Sequence, residues 1–384
     1  MISETFCAAP WTVHCINANG TAGVCCVNRA AVVDSMDHST MMQGTAVQQM
    51  KQDMLAGRPA DGCAKCYDNE RSGVYSLRNL YNKITGHRLD RDRLSDPQYE
   101  NRVWYDLSLG NKCNQKCRIC GPHNSTAWYK DAKNFLDLDW AHTGWHRYPR
   151  LTDSIDAIPG IIASMHNTRD SFRIELKGGE PLYMDSNRIL LAEMIAQGLH
   201  ERTEELRIIT NGTQHDPRLL DMLRQFPHID LGLSIDATGK LHEYVRGTNM
   251  SWDQCRRSWS KIVDLPNISR LRLCNTVYAY TVFDLPVLRQ WAHQEFGRLE
   301  LMSDALLHEP RYLSISILPK HLRQAAAEQL PVQDDMIPVF LREAESQTDL
   351  LEQRERFKIF TKRLDAIRSE DLTSLVPELS ELLS

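Results

Sequence analysis

Three cysteines carry the sharpest chemical signal in this chain: Cys113, Cys117 and Cys120 stand in the run CNQKCRIC with C-x3-C-x2-C spacing. Three thiolates in so short a loop can each hold one iron of a four-iron cluster, which leaves the fourth iron without a protein ligand and open to bind something else. Structural zinc is the alternative; it needs a fourth Cys or His close by, and among Gly121, Pro122 and His123 only His123 supplies one. The chain has 11 cysteines, at 7, 15, 25, 26, 63, 66, 113, 117, 120, 255 and 274, so nine of the 11 lie in its first third. An odd number, clustered in this way, points to metal or redox sites rather than disulfides.

A second candidate set precedes the first: Cys7, Cys25 and the pair Cys63-x2-Cys66. Cys26 competes with Cys25, because adjacent residues of an extended segment point to opposite sides. The spacing suits a cluster or a four-cysteine zinc site. Of the remaining thiols, Cys15 and Cys255 read as small buried hydrophobes. Cys274, in the run LRLCNTVYAY, is a candidate hydrogen donor to a radical, weighed against the same packing role.

The elements that must position these loops are legible as six short apolar runs: 103–109, 172–178, 206–212, 229–236, 271–278 and 298–302. Helical stretches at 125–135, 154–166, 186–199, 217–226, 252–265 and 285–295 separate or follow them, an alternation that predicts parallel βα units. The Cys113 loop follows the first run, where such an architecture builds its sites. The second run ends in Lys177-Gly178-Gly179-Glu180-Pro181, the third in Thr210-Asn211-Gly212 and the fourth in Ser234-Ile235-Asp236. Glycines allow close backbone approach to a ligand, and a carboxylate suits an ammonium group. Asn211 and Asp236 read equally well as turn caps, and Arg246 in HEYVRG as a surface charge. His123, Tyr183 and Asp185 adjoin these loops without a required role.

Residues 1–102 read as an irregular cysteine-rich unit with a hairpin around Asn19-Gly20 and helices near 45–56 and 74–83. Residues 103–305 carry the βα pattern. Residues 306–384 form a mainly helical extension in which Phe357, Phe360, Leu364 and Ile367, three to four apart, read as core. The stretch 137–151, with Trp140 and Trp145, is an insertion. The fold class is α/β. With 45 Lys+Arg against 50 Asp+Glu the net charge is −5, which offers nucleic acid no net basic field. No run approaches the ~18 apolar residues of a membrane span, and MISETFCAAPW lacks a secretory pattern, so the chain reads as cytoplasmic.

The three-cysteine loop after the first strand resembles the signature of the radical S-adenosylmethionine (SAM) enzymes, and the GGEP run after the second strand resembles that family's motif for the SAM amino group. The resemblance covers roughly 103–305 and implies a partial (β/α)6 barrel, a [4Fe–4S] cluster with an open iron, and reductive cleavage of SAM to a radical that takes hydrogen from substrate. It implies cofactor contacts at Gly178, Gly179, Glu180, Pro181, Asn211, Ser234, Asp236 and Arg246, with Arg246 near the SAM carboxylate. Ile119 stands where many members have an aromatic residue. The set Cys7, Cys25, Cys63 and Cys66 resembles the SPASM and twitch auxiliary-cluster domains, here placed before the barrel, and implies a second [4Fe–4S] cluster in electron transfer. The implied substrate is a peptide or protein, with a small polar metabolite such as an aminosugar as alternative. The implied partners are an electron donor such as flavodoxin or ferredoxin and a peptide-recognition protein. The remaining alternative is a non-catalytic iron–sulfur or zinc binding protein.

Overall fold

The computed structural model describes residues 3–28, 30–33, 42–71, 75–143, 153–297, 299–332, 334 and 349–384. Its strands are β1 (Val13–Ile16), β2 (Ala22–Gly23), β3 (Val32–Val33), β4 (Trp104–Leu107), β5 (Phe172–Leu176), β6 (Thr203–Thr210), β7 (Ile229–Leu233), β8 (Ile268–Val277) and β9 (Leu301–Leu306). They form one sheet in the order β3-β2-β1-β4-β5-β6-β7-β8-β9. The six predicted runs appear as β4 to β9, each parallel to the next. Part of the last run lies outside the described residues, at Arg298.

The sheet continues beyond β4. β1 lies parallel to it, with Cys15 opposite Asp106, and β2 returns antiparallel through the turn at Asn17–Thr21. β1 is four residues, all buried, as a parallel strand covered on both faces must be. Gly20 sits at φ 80°, the left-handed conformation that this hairpin turn requires.

Alternation along the strands sorts the two faces. Phe172, Ile174 and Leu176 join Leu206, Ile208, Leu231, Leu233, Leu271 and Leu273 in one apolar cluster. That cluster is completed by the crossover helices Ile158–Asn167, Asp185–Ala196, Pro217–Leu223, Trp252–Val263 and Leu285–Glu295. The opposite face is ionic: Arg272 pairs with Asp230 at 2.7 Å, Arg207 with Asp230 at 3.1 Å, and Lys177 with Asp106 at 2.7 Å. Cys255 lies in the apolar cluster, and Cys15 in a separate N-terminal one. Cys274 takes the ionic side, where Gly232 leaves room for its sulfur: a Cβ there would lie 2.8 Å from it.

A second apolar cluster gathers the C-terminal extension. In the helix Leu350–Arg368, Phe357, Phe360 and Leu364 are fully buried and Ile367 packs alongside. The helix expected over 125–135 is instead three short pieces, Thr126–Trp128, Tyr129–Ala132 and Lys133–Phe135, and Trp128 turns in to donate to the Cys117 carbonyl at 2.8 Å. The helix expected over 74–83 runs Leu77–Thr85 behind a Ser76/Asn79 capping box, with Val74 outside the described residues. Trp140 packs edge-on to Tyr312, and Trp145 lies outside the described residues. Among the described residues no helix is long and apolar enough to cross a membrane.

Candidate functional site

Parallel strands deliver their following loops to one end of the sheet, and four of those loops meet here. Cys113, Cys117 and Cys120 after β4, Lys177 to Glu180 after β5, Asn211 after β6, and Ser234 after β7 line a single cavity of about 270 Å³. Arg246, at the end of the helix Gly239–Arg246, joins the lining, together with Gln115, Asn124, Ser125 and Ile209. Gln115, Asn124 and Ser125 escape sequence reasoning because nothing in their type distinguishes them from ordinary loop residues.

Gly178 and Gly179 are required by backbone packing. Both have positive φ, at 79° and 46°. A Cβ on Gly179 would lie 2.5 Å from the Lys112 carbonyl oxygen, and one on Gly178 would lie 2.7 Å from Ser108 Cβ. The β5 loop is thereby pressed against the cysteine loop, and Glu180 N donates to Lys112 O at 2.9 Å. The Glu180 carboxyl is already satisfied by protein: Asn211 N donates at 2.7 Å, Leu182 N at 3.0 Å, and the Thr210 hydroxyl also donates. Burial nevertheless pushes it up to about 7. Glu180 therefore ties the β5 and β6 loops together, and the glycine backbone is the part left to meet a ligand. Pro181 stands behind, its carbonyl accepting from Asn187 at 3.1 Å.

The sulfurs are surrounded by donors. Gln115 N lies 3.4 Å and Asn211 Nδ2 3.9 Å from Cys113 Sγ, and Arg246 Nη1 lies 3.8 Å from Cys117 Sγ. The contact with Cys120, and then the Arg246 charge, draw Cys117 down to about 7, whereas burial pushes Cys113 up to about 12. Asn211 also bonds Asn114 Oδ1 at 3.0 Å and accepts from Thr213 N at 2.9 Å, so its turn-capping role is realised as well. Asp236 does not line the cavity; it pairs with Arg246 at 2.9 Å and accepts from Thr276 N at 2.8 Å.

The C-terminal extension grips this loop. Arg118, between two of the cysteines, is fully buried, lies 3.5 Å over the Tyr244 ring, and pairs with Asp365 at 2.5 Å and Glu370 at 2.6 Å. Arg368 donates to the Lys116 carbonyl at 2.9 Å and pairs with Asp131 at 2.9 Å. Ile119 packs on the second apolar cluster, and the His142 ring contacts the Cys120 carbonyl at 3.0 Å. Of the loop residues without an assigned role, His123 is half-buried, and Asp185 pairs with Lys112 at 2.8 Å beside the exposed Tyr183.

Among the N-terminal cysteines, burial raises the Cys7 thiol, and the nearby Cys25, Cys63 and Cys66 raise it further. Burial and then Asp106 push Cys26 up to about 12. Asn28, buried and invisible as a site residue in sequence, joins two of the four, its N lying 3.4 Å from Cys25 Sγ and its Nδ2 3.5 Å from Cys63 Sγ. Were Cys7, Cys25, Cys63 and Cys66 to hold a metal or cluster, Asn28→Ala would be expected to weaken its retention by roughly 10- to 100-fold, as loss of an outer-shell partner does. Metal content before and after a graded chelator challenge measures this; unchanged retention would contradict it.

Among the described residues no group of three or more His, Cys, Asp and Glu side chains is placed to hold a single metal ion. A four-iron cluster asks something else of its ligands: thiolates standing apart around one cavity, each reaching a separate iron. Cys113, Cys117 and Cys120 bring three thiols to one cavity, with N–H donors directed at two of their sulfurs.

No protein-family model matches the chain. No curated protein matches it. Among solved structures, Streptococcus suis SuiB aligns with 69% of this chain and 56% of its own at 14% identity and a TM-score of 0.38. SuiB bound to the precursor peptide SuiA aligns with 83% of this chain and 64% of its own, at 12% identity and 0.39. anSMEcpe with bound AdoMet aligns with 53% and 52%, at 15% identity and 0.40. The chain thus spans between half and two thirds of the length of these proteins, and likeness at these scores carries no functional weight.

Proposed function

We propose that this chain is a radical SAM enzyme with a [4Fe–4S] cluster at Cys113, Cys117 and Cys120, and that it modifies a peptide or protein. The observation that carries the reading is the convergence of the three cysteines, Gly178-Gly179, Asn211, Ser234 and Arg246 on one cavity. When bound, the cluster and SAM supply a 5′-deoxyadenosyl radical that takes hydrogen from substrate. The chain's own residues do the rest. The glycine backbone after β5 would hold the SAM ammonium, Ser234 and Asn211 would border the remainder of the cofactor, and the close-packed loops would restrict how substrate and cofactor approach one another.

Cys7, Cys25, Cys63 and Cys66 hold, in this reading, an auxiliary [4Fe–4S] cluster. Four protein ligands leave it no open iron, which suits electron transfer rather than substrate binding. Residues 1–102 form the auxiliary unit, 103–305 the catalytic one and 306–384 the extension. An external one-electron donor and a peptide-recognition partner complete the system.

Anaerobic reconstitution with iron and sulfide tests the proposal. About eight irons per chain are expected, falling to about four in the Cys113→Ala/Cys117→Ala/Cys120→Ala variant, with 5′-deoxyadenosine formed from SAM and dithionite only by the unaltered chain. A fully loaded protein that forms none, with and without candidate peptides, would favour a binding scaffold instead.

A further inference from the structure

We propose that Arg246 and Asp236 set the reduction potential of the cluster at Cys113, Cys117 and Cys120, Arg246 raising it and Asp236 lowering it. The inference rests on the cluster assignment above and gives the two residues a role apart from lining the cavity, which only Arg246 does. Arg246 Nη1 lies 3.8 Å from Cys117 Sγ while its Nε lies 2.9 Å from Asp236 Oδ2. One guanidinium therefore bridges a cluster thiolate and a buried carboxylate.

The bridge is held from both ends. Thr276 N, on β8, donates to Asp236 at 2.8 Å. Gly247, at φ 54°, ends the Arg246 helix against the cysteine loop, where a Cβ would lie 2.6 Å from the Lys116 carbonyl oxygen. The two side chains are 10% and 0% exposed, so solvent and salt screen their charges little. The other donors at these sulfurs, Gln115 N and Asn211 Nδ2, are neutral. Arg118, the other buried cation of the loop, is compensated by two carboxylates, Asp365 and Glu370.

A cluster gains negative charge when reduced. A cation and an N–H donor at its thiolate favour the added electron, and a fixed carboxylate opposes it. Removing Asp236 leaves the Arg246 charge uncompensated; removing Arg246 takes away both the charge and the N–H···S contact. The two substitutions should move the potential in opposite directions, which a merely structural role would not produce.

The test is a redox titration of the reconstituted full chain without SAM or substrate, following the electron paramagnetic resonance signal that disappears in the triple cysteine variant. Asp236→Asn is expected to shift the midpoint to more positive values and Arg246→Gln to more negative ones, both at unchanged iron content. Arg246→Lys, which keeps the charge but loses the fork, is expected between Arg246→Gln and the unaltered chain. Unmoved midpoints, or shifts of the same sign, overturn the proposal. Should Arg246→Gln fail to load iron, the isosteric Asp236→Asn decides it alone, and no positive shift there sinks it. Absence of any cluster signal from Cys113, Cys117 and Cys120 in the unaltered chain would instead overturn the cluster assignment itself.

Discussion

Gly179→Ala is expected to reduce dithionite-driven SAM cleavage by about 100-fold or more while the iron at the cysteine loop is retained. The added Cβ would stand 2.5 Å from the Lys112 carbonyl oxygen and 2.9 Å from the Asn111 carbonyl carbon, both backbone atoms that no rotamer change can move aside. The residue's φ of 46° adds a conformational cost of about 1–3 kcal/mol for any non-glycine residue. The strain is relieved by parting the β5 loop from the cysteine loop. A displacement on the order of 1 Å between a ligand's anchor and its reaction centre is enough for a loss of this size. The cysteines lie on the other loop, so their metal content should hold, and the dissociation constant for SAM should rise together with the fall in rate. Wild-type cleavage by Gly179→Ala would mean that the close contact of the two loops does not position the cofactor.

The signals that led to this site are uneven in kind. Cysteine spacing and glycine pairs are readable because few other residues can replace them: a thiolate for iron, and a missing Cβ where two backbones touch. The six apolar runs of β4 to β9 are readable because a strand covered by helices must alternate or be apolar throughout. The hairpin around Asn19-Gly20 was readable and is formed by β1 and β2, but the parallel pairing of β1 with β4 escaped, because VHCI is short and its partner lies about ninety positions away. The choice between Cys25 and Cys26 was closed to sequence for a related reason. Adjacent side chains of an extended segment point to opposite sides, and which one points inward is set by packing that the local sequence does not encode. Glu180 shows the reverse case, in which a residue picked out by its motif has a carboxyl occupied by Thr210, Leu182 and Asn211.

Arg118 is the site residue furthest from any sequence signal, and its removal should have the largest effect on stability. It sits among ordinary charged residues in the chain, yet its guanidinium is fully buried between Tyr244, Asp365 and Glu370. Arg118→Ala leaves two carboxylates facing an emptied buried space, and breaking one side of such a pair costs about 3–5 kcal/mol. Because Asp365 and Glu370 are 13% and 28% exposed, the lower end, about 3 kcal/mol, is expected in urea unfolding. Arg118→Lys should recover only part of this, since an ammonium neither stacks on Tyr244 nor forks to two carboxylates. The functional consequence follows from the residue's place between Cys117 and Cys120. The helix Leu350–Arg368 reaches the cysteine loop through Arg118 and through Arg368 at Lys116. Cluster lability to chelator should therefore rise in Arg118→Ala and, to a similar degree, in Asp365→Asn/Glu370→Gln. A triple variant combining all three changes should be less destabilised than the sum, because the buried charges it removes are one another's partners. Strict additivity, or a cluster as resistant to chelator as the unaltered one, would show that the extension is only an appendage to the core and takes no part in shaping the cysteine loop.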